Sequence, residues 1–152
     1  MLRAHFPRAY LDVNREPLEL DPKMLDGPVP AHANSQSMRV GGGLGTIPRI
    51  VGDGIEIYRH RLPISEALQR IDTIYRPYHR VLRDLMTRTH ARFGHAVLLD
   101  CHSMPTSIRV GDRGTRPDFV IGDRFGTSAS REISNAAVYM LRSMGFVVSH
   151  NK

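Results

Sequence analysis

The stretch Ala96-Val97-Leu98-Leu99-Asp100-Cys101-His102-Ser103-Met104-Pro105 decides how the rest of the chain is read. Its first four residues form a short apolar run, the pattern of a buried strand, so a strand is expected over 96–100. The point just past the C-terminal end of such a strand is where open α/β sheets place their chemistry. Alternate strand residues point to one side, so Asp100 and His102 can share a site. A neutral imidazole is a metal ligand, and a carboxylate beside it can hold the ring or take a proton. The same residues also fit a strand end whose polar side chains face water, because an Asp-x-His spacing is not specific by itself.

Outward from this stretch the segments alternate in type. Residues 9–13, Ala-Tyr-Leu-Asp-Val, read as a short strand that Asn14-Arg15-Glu16-Pro17 breaks, since proline cannot continue a central strand. Residues 16–48 show no period, as expected of a long irregular segment of the kind that is functional or mobile in a compact domain. That segment ends in Gly41-Gly42-Gly43-Leu44-Gly45-Thr46, which matches no phosphate-loop or dinucleotide pattern. A plain loop is one reading of these glycines, backbone mobility or close approach to a ligand the other. Ile55-Glu56-Ile57-Tyr58 alternates as a strand does. Ser65 opens a helical period carried by Leu68, Ile71, Tyr75, Tyr78, Leu82 and Leu85 and stopped at Gly94. Pro77 within it predicts a kink, or two helices meeting near Arg76.

After a polar loop from Ser103 to Arg116, Asp118-Phe119-Val120-Ile121-Gly122 is another short apolar run and residues 123–128 a turn. A second helix is expected from Ser128 or Ser130, with Ile133, Ala137, Met140, Leu141 and Met144 on its apolar face and Gly145 at its end. Phe146-Val147-Val148-Ser149 is a last strand. Strands alternating with helices predict an α/β domain, residues 1–152 as one unit, with a largely parallel or mixed sheet flanked by helices.

Composition agrees with one soluble domain: 152 residues, 41% hydrophobic and 24% charged. The net charge of +6 is carried almost wholly by arginines, lysine occurring only at Lys23 and Lys152. They are scattered among acids, as in Arg80-Val81-Leu82-Arg83-Asp84, rather than drawn into a basic stripe. No nucleic-acid partner is expected. No apolar run approaches the roughly 20 residues that cross a bilayer, and Met1–Pro7 lacks the apolar core of a signal peptide. The expectation is a cytoplasmic protein with no membrane partner. The single cysteine, Cys101, excludes an internal disulfide.

Five stretches in order resemble the N-formylglutamate amidohydrolase family: residues 6–16 (Phe-Pro-Arg-Ala-Tyr-Leu-Asp-Val-Asn-Arg-Glu), 43–49 (Gly-Leu-Gly-Thr-Ile-Pro-Arg), 75–79 (Tyr-Arg-Pro-Tyr-His), 100–105 and 122–126 (Gly-Asp-Arg-Phe-Gly). Each is weak alone; together they span essentially the whole chain. The resemblance implies hydrolysis of N-formyl-L-glutamate, a small N-acyl amino acid, to formate and glutamate in histidine degradation. It also implies a relation to zinc carboxypeptidases and a phosphorylase/hydrolase-like fold. By that relation His102 would be one zinc ligand, with Asp100 orienting it. Asn14 and Arg15 would hold a substrate carboxylate, for which arginine's planar fork is suited. Arg49, on the glycine-rich approach loop, is the candidate for the second carboxylate.

The family's upstream His-Ser-Gly-type segment and its downstream glutamate segment have no counterpart here. The resemblance thus implies a central portion truncated at both ends. The other zinc ligands and the general base would lie outside it, and this chain alone would be weakly active or inactive, since a catalytic zinc takes about three protein ligands. Two other readings stay open: a related zinc amidase acting on another N-acyl amino acid, and a non-catalytic fragment or interaction module. The remaining histidines, His79 and His150 among them, read as surface or helix-face residues.

Overall fold

A long helical rod crosses the middle of the chain. In the computed structural model, which describes residues 1–51, 54–103 and 116–151, one continuous rod runs from Ile64 to Phe93. It comprises α2 (Ile64–Arg70), a wide π turn (Ile71–Tyr75) and α3 (Arg76–Phe93). The expected kink takes the form of this π turn. Pro77 has no N–H to give, and in the preceding turn the Arg76 N–H reaches five residues back to the Ile71 carbonyl. The helix starts one residue before Ser65, after Pro63, with no side-chain cap. Gly94 ends it at φ 75°, the left-handed conformation that glycine adopts without a Cβ penalty.

The chain divides into two compact units, Met1–Leu98 and Leu99–Lys152. In the first, β1 (Leu25–Asp26) pairs in parallel with β4 (Leu62–Pro63), and β2 (Ile50–Val51) pairs antiparallel with β3 (Ile55–Glu56). A single turn, α1 (Met38–Gly41), is capped by the Ser37 hydroxyl. Leu11, Leu20, Met24, Leu25, Ile47, Leu62, Ala67, Ile71 and Tyr75 form the core. The rod's apolar stripe is buried only at its N-terminal end; beyond Tyr75, α3 has no buried residue. Arg70 ties α2 to the N-terminal segment. Its Nη1 donates to the Tyr10 carbonyl (3.1 Å) and the Tyr58 hydroxyl (2.8 Å), its Nη2 pairs with Glu66, and its guanidinium stacks 4.0 Å over the Tyr10 ring.

In the second unit, β5 (Phe119–Ile121) and β6 (Val148–His150) pair in parallel, connected through α4 (Arg131–Ser143). Ser130, one of the two expected starts, caps α4 by accepting from the Ile133 N–H. Phe119 and Phe146 meet edge to face at 5.0 Å.

The fold is α/β, with small parallel and antiparallel two-stranded pairings beside helices in place of one mainly parallel sheet. Two expected strands do not form. Residues 9–13 are turn and irregular chain, because the Pro7 carbonyl takes the Tyr10 and Leu11 N–H groups and the Asp12 carboxylate takes the Asn14 N–H. Ala96-Val97-Leu98-Leu99 is irregular and, at 48%, 54% and 76% for Val97, Leu98 and Leu99, exposed. An apolar run becomes a strand only beside another that accepts its backbone hydrogen bonds, and among the described residues none pairs with it. The Ser103–Arg116 loop, and Met104-Pro105 with it, fall almost wholly outside the described residues.

Candidate functional site

Asp12-Val13-Asn14-Arg15 is a turn held from three sides. At its start the Asp12 N–H donates to the Thr46 carbonyl (2.7 Å), joining it to the end of the glycine-rich loop. The buried Asp12 carboxylate accepts from the Asn14 N–H (3.0 Å) and from Arg8 Nη2 (2.7 Å), with Arg15 Nη2 at 3.6 Å. All three following carbonyls accept a side-chain donor: Val13 from His79 Nε2 (2.8 Å), Asn14 from Arg15 Nη1 (2.9 Å) and Arg15 from the Tyr75 hydroxyl (2.5 Å). Arg15 Nε donates to the Leu44 carbonyl (3.1 Å), so the guanidinium is pinned to the loop while its side chain stays 18% exposed. Asn14 is exposed.

The glycine-rich loop makes a close approach to its own chain. A Cβ on Gly45 would collide with the Glu19 carbonyl, which accepts the Thr46 N–H at 2.8 Å. Beneath it Glu19 is buried, its Oε1 accepting from the Ser37 hydroxyl.

Arg49 is spent largely on the chain itself. Its Nε donates to the buried Asp21 (2.8 Å) and its Nη1 to Glu56 (3.0 Å), and the bond to Asp21 raises the guanidinium pKa still further. Capturing a substrate carboxylate through Nη1 would mean giving up Glu56.

Asp100 and His102 lie in the second unit, and both are exposed. His102 Nε2 donates to Asp100 Oδ2 at 2.9 Å, so the same-side geometry inferred from a strand survives without the strand. A carboxylate on one ring nitrogen is the arrangement found behind metal-bound histidines. Among the described residues no group of three His, Cys, Asp or Glu side chains converges on a point. His102 with Asp100 fits one ligand of a zinc and the carboxylate that orients it.

Three groups escaped the sequence reading. Tyr75 is core, but its hydroxyl works; His79 lies on a helix face, one of the two expected settings, and is half-buried and bonded there; and His150 Nε2 donates to the buried Asp123 (3.0 Å). Tyr75 and His79 stand four apart on a helix, the spacing that puts two side chains on one face, and that was the available signal. A cavity of about 560 Å³ lined by Tyr10, Glu66 and Arg70 contains none of the candidate residues.

Comparison with known proteins identifies the setting of these elements. A family model described as N-formylglutamate amidohydrolase matches residues 1–152. The chain belongs to the N-formylglutamate amidohydrolase family. It is 30% identical over 129 residues to an N-formylglutamate deformylase of Pseudomonas aeruginosa, covering 84% of this chain and 42% of that protein. It is also 30% identical over 130 residues to one of Pseudomonas putida, covering 84% and 43%. The fold matches the crystal structure of N-formylglutamate amidohydrolase from Ralstonia eutropha JMP134 with a TM-score of 0.87 at 33% identity, covering 97% of this chain and 54% of that one. The chain thus spans less than half the length of the two Pseudomonas relatives and about half of the Ralstonia chain.

Proposed function

We propose that this chain belongs to an enzyme that hydrolyses N-formyl-L-glutamate to formate and L-glutamate, contributing the substrate-carboxylate clamp and one metal-binding histidine. The observation that carries the reading is the pinned turn at Asn14-Arg15 in a chain that matches the N-formylglutamate amidohydrolase family along its whole length. Arg15, whose side chain stays partly exposed, binds the substrate carboxylate, and Asn14 beside it fixes orientation. Arg49 is the second cation, reached by exchange with Glu56. His102 is a zinc ligand and Asp100 holds its ring. When bound, zinc would polarise the formyl oxygen and acidify a water.

Among the described residues no helix is long and apolar enough to cross a membrane. We place the enzyme in the cytoplasm, acting on a small molecule in histidine degradation.

One observation favours a second reading. Formylglutamate carries two carboxylates, and Arg49 is engaged by Asp21 and Glu56, so a related amidase acting on an N-acyl amino acid with one carboxylate also fits. Formate release from N-formyl-L-glutamate and from N-formyl-L-alanine by the chain completed to the length of its relatives, with zinc supplied and with a chelator, separates the two. Turnover of the glutamate derivative alone, lost with the chelator, is the expected result; preference for the alanine derivative favours the second reading, and no release from either overturns both.

A further inference from the structure

The helix face that follows the π turn reaches the carboxylate clamp. Tyr75 and His79 lie one turn apart with ring centroids 4.2 Å from each other. Their donors end on the carbonyls of Arg15 and Val13, the two that flank Asn14. These bonds span 60 and 66 residues of sequence, so nothing local requires them. A carbonyl only accepts, so His79 must carry its hydrogen on Nε2. That nitrogen keeps its hydrogen whether the ring is neutral or charged. Burial, with the nearby Glu16 and Asp12 carboxylates, pushes the Tyr75 hydroxyl pKa up, which keeps it a donor. Neither side chain is placed to touch substrate through the atom it commits to the backbone.

We propose that Tyr75 and His79 are positioning residues that set the direction of the Arg15 fork, and thereby the preference for N-acyl amino acids bearing a free carboxylate. This rests on reading Arg15 as the substrate-carboxylate contact. The Arg15 fork is held at Nε by the Leu44 carbonyl and at Nη1 by the Asn14 carbonyl, with Nη2 3.6 Å from Asp12. Its root is the backbone of the same turn, and that backbone is located by the Tyr75 hydroxyl on the Arg15 carbonyl and by His79 on the Val13 carbonyl. Removing either donor leaves the fork attached to the loop while its root can rotate. The wide turn at Ile71–Tyr75 is part of the device, because it immediately precedes this face and ends on Tyr75 itself.

The test uses Tyr75→Phe, which keeps the buried ring and deletes only the hydroxyl, His79→Leu, and His79→Gln, whose amide N–H can replace the Nε2 donor. In the chain completed to the length of its relatives, Tyr75→Phe and His79→Leu should each raise KM for N-formyl-L-glutamate about three- to tenfold, the worth of one net hydrogen bond, with kcat little changed and His79→Gln close to wild type. On the diamide, in which both carboxylates are replaced, all variants should match wild type. Equal losses on both substrates, or losses in kcat alone, would mean that the two residues merely support the fold. A second measurement needs no turnover. In a side-chain ¹H–¹⁵N spectrum the Arg15 Nε–H signal should shift and broaden in Tyr75→Phe and His79→Leu and return in His79→Gln, while that of Arg49, bonded to Asp21, stays put. An unmoved Arg15 signal overturns the proposal. If no variant, nor the wild type, releases formate, the assigned reaction fails and the arginine signal still decides the positioning role.

Discussion

His150 at the end of β6 donates its Nε2 hydrogen to Oδ2 of Asp123, 3.0 Å away across 27 residues of chain. The same carboxylate accepts from Asn151 Nδ2 (2.7 Å) and the Gly126 N–H (3.0 Å), so one buried anion gathers the turn after β5 and the end of β6. That turn passes through Arg124 and Phe125 with φ of 52° and 59°, a conformation L-residues adopt only when held.

This carboxylate makes a pH prediction. Hydrogen bonds from Asn151, Ser134 and the Gly126 N–H, in that order, hold the Asp123 pKa far below the usual carboxylate range against the opposing effect of burial. A depressed folded-state pKa contributes stability that is fully present above the unfolded value, about 3.9, and is lost as pH falls toward the folded one. The Tm difference between wild type and Asp123→Asn should therefore be constant from about pH 7 to pH 5 and shrink below about pH 4. A difference independent of pH down to acid unfolding would show that the Asp123 charge contributes nothing.

Arg15→Lys should be far from conservative. Lysine cannot reproduce the bond from Nε to Leu44 while offering a fork to a carboxylate. In the chain completed to the length of its relatives the expected loss is about 1–3 kcal/mol of transition-state binding, read from kcat/KM on N-formyl-L-glutamate. A value within about twofold of wild type would make Arg15 a structural residue only.

Arg49 and Asp21 should be coupled in stability. Asp21 is buried and has Arg49 Nε at 2.8 Å, so Arg49→Met leaves a buried carboxylate without its cation. Urea unfolding should show a loss of about 1–3 kcal/mol, and a double-mutant cycle with Asp21→Asn should recover part of it. Additive losses would mean that the pair is independent and that Arg49 is held by Glu56 instead.

Zinc titrated into the 152-residue chain should bind weakly and through His102, without enzyme-like formate release. Among the described residues no three His, Cys, Asp or Glu side chains converge beside His102, against the three or so protein ligands of a catalytic zinc. Metal analysis after dialysis, with His102→Ala beside wild type, measures this. One tightly held zinc per chain, indifferent to His102→Ala, would place the ligands elsewhere.

What could be read from the sequence by itself was local. The helical period from Leu68 to Leu85, Gly94 as its stop, Pro77 as its irregularity, the cap at Ser130 and the apolar run 119–121 all depend on neighbours within a few residues, and each stands in the structure. So does the Asp100–His102 pair, whose members are two residues apart. The shape of Asp12–Arg15 was decided elsewhere. Its carbonyls are claimed by a tyrosine and a histidine more than 60 positions away in one case and 60 in the other, and its arginine by a loop 29 positions away. Local bonds to the Pro7 carbonyl and the Asp12 carboxylate displaced the strand expected over 9–13, and the distant donors clamp the turn that follows it. Val97-Leu98-Leu99 shows the same limit from the other side. An apolar run prepares a strand, but only a neighbouring backbone makes one, and a pattern of side chains holds no information about which backbone arrives.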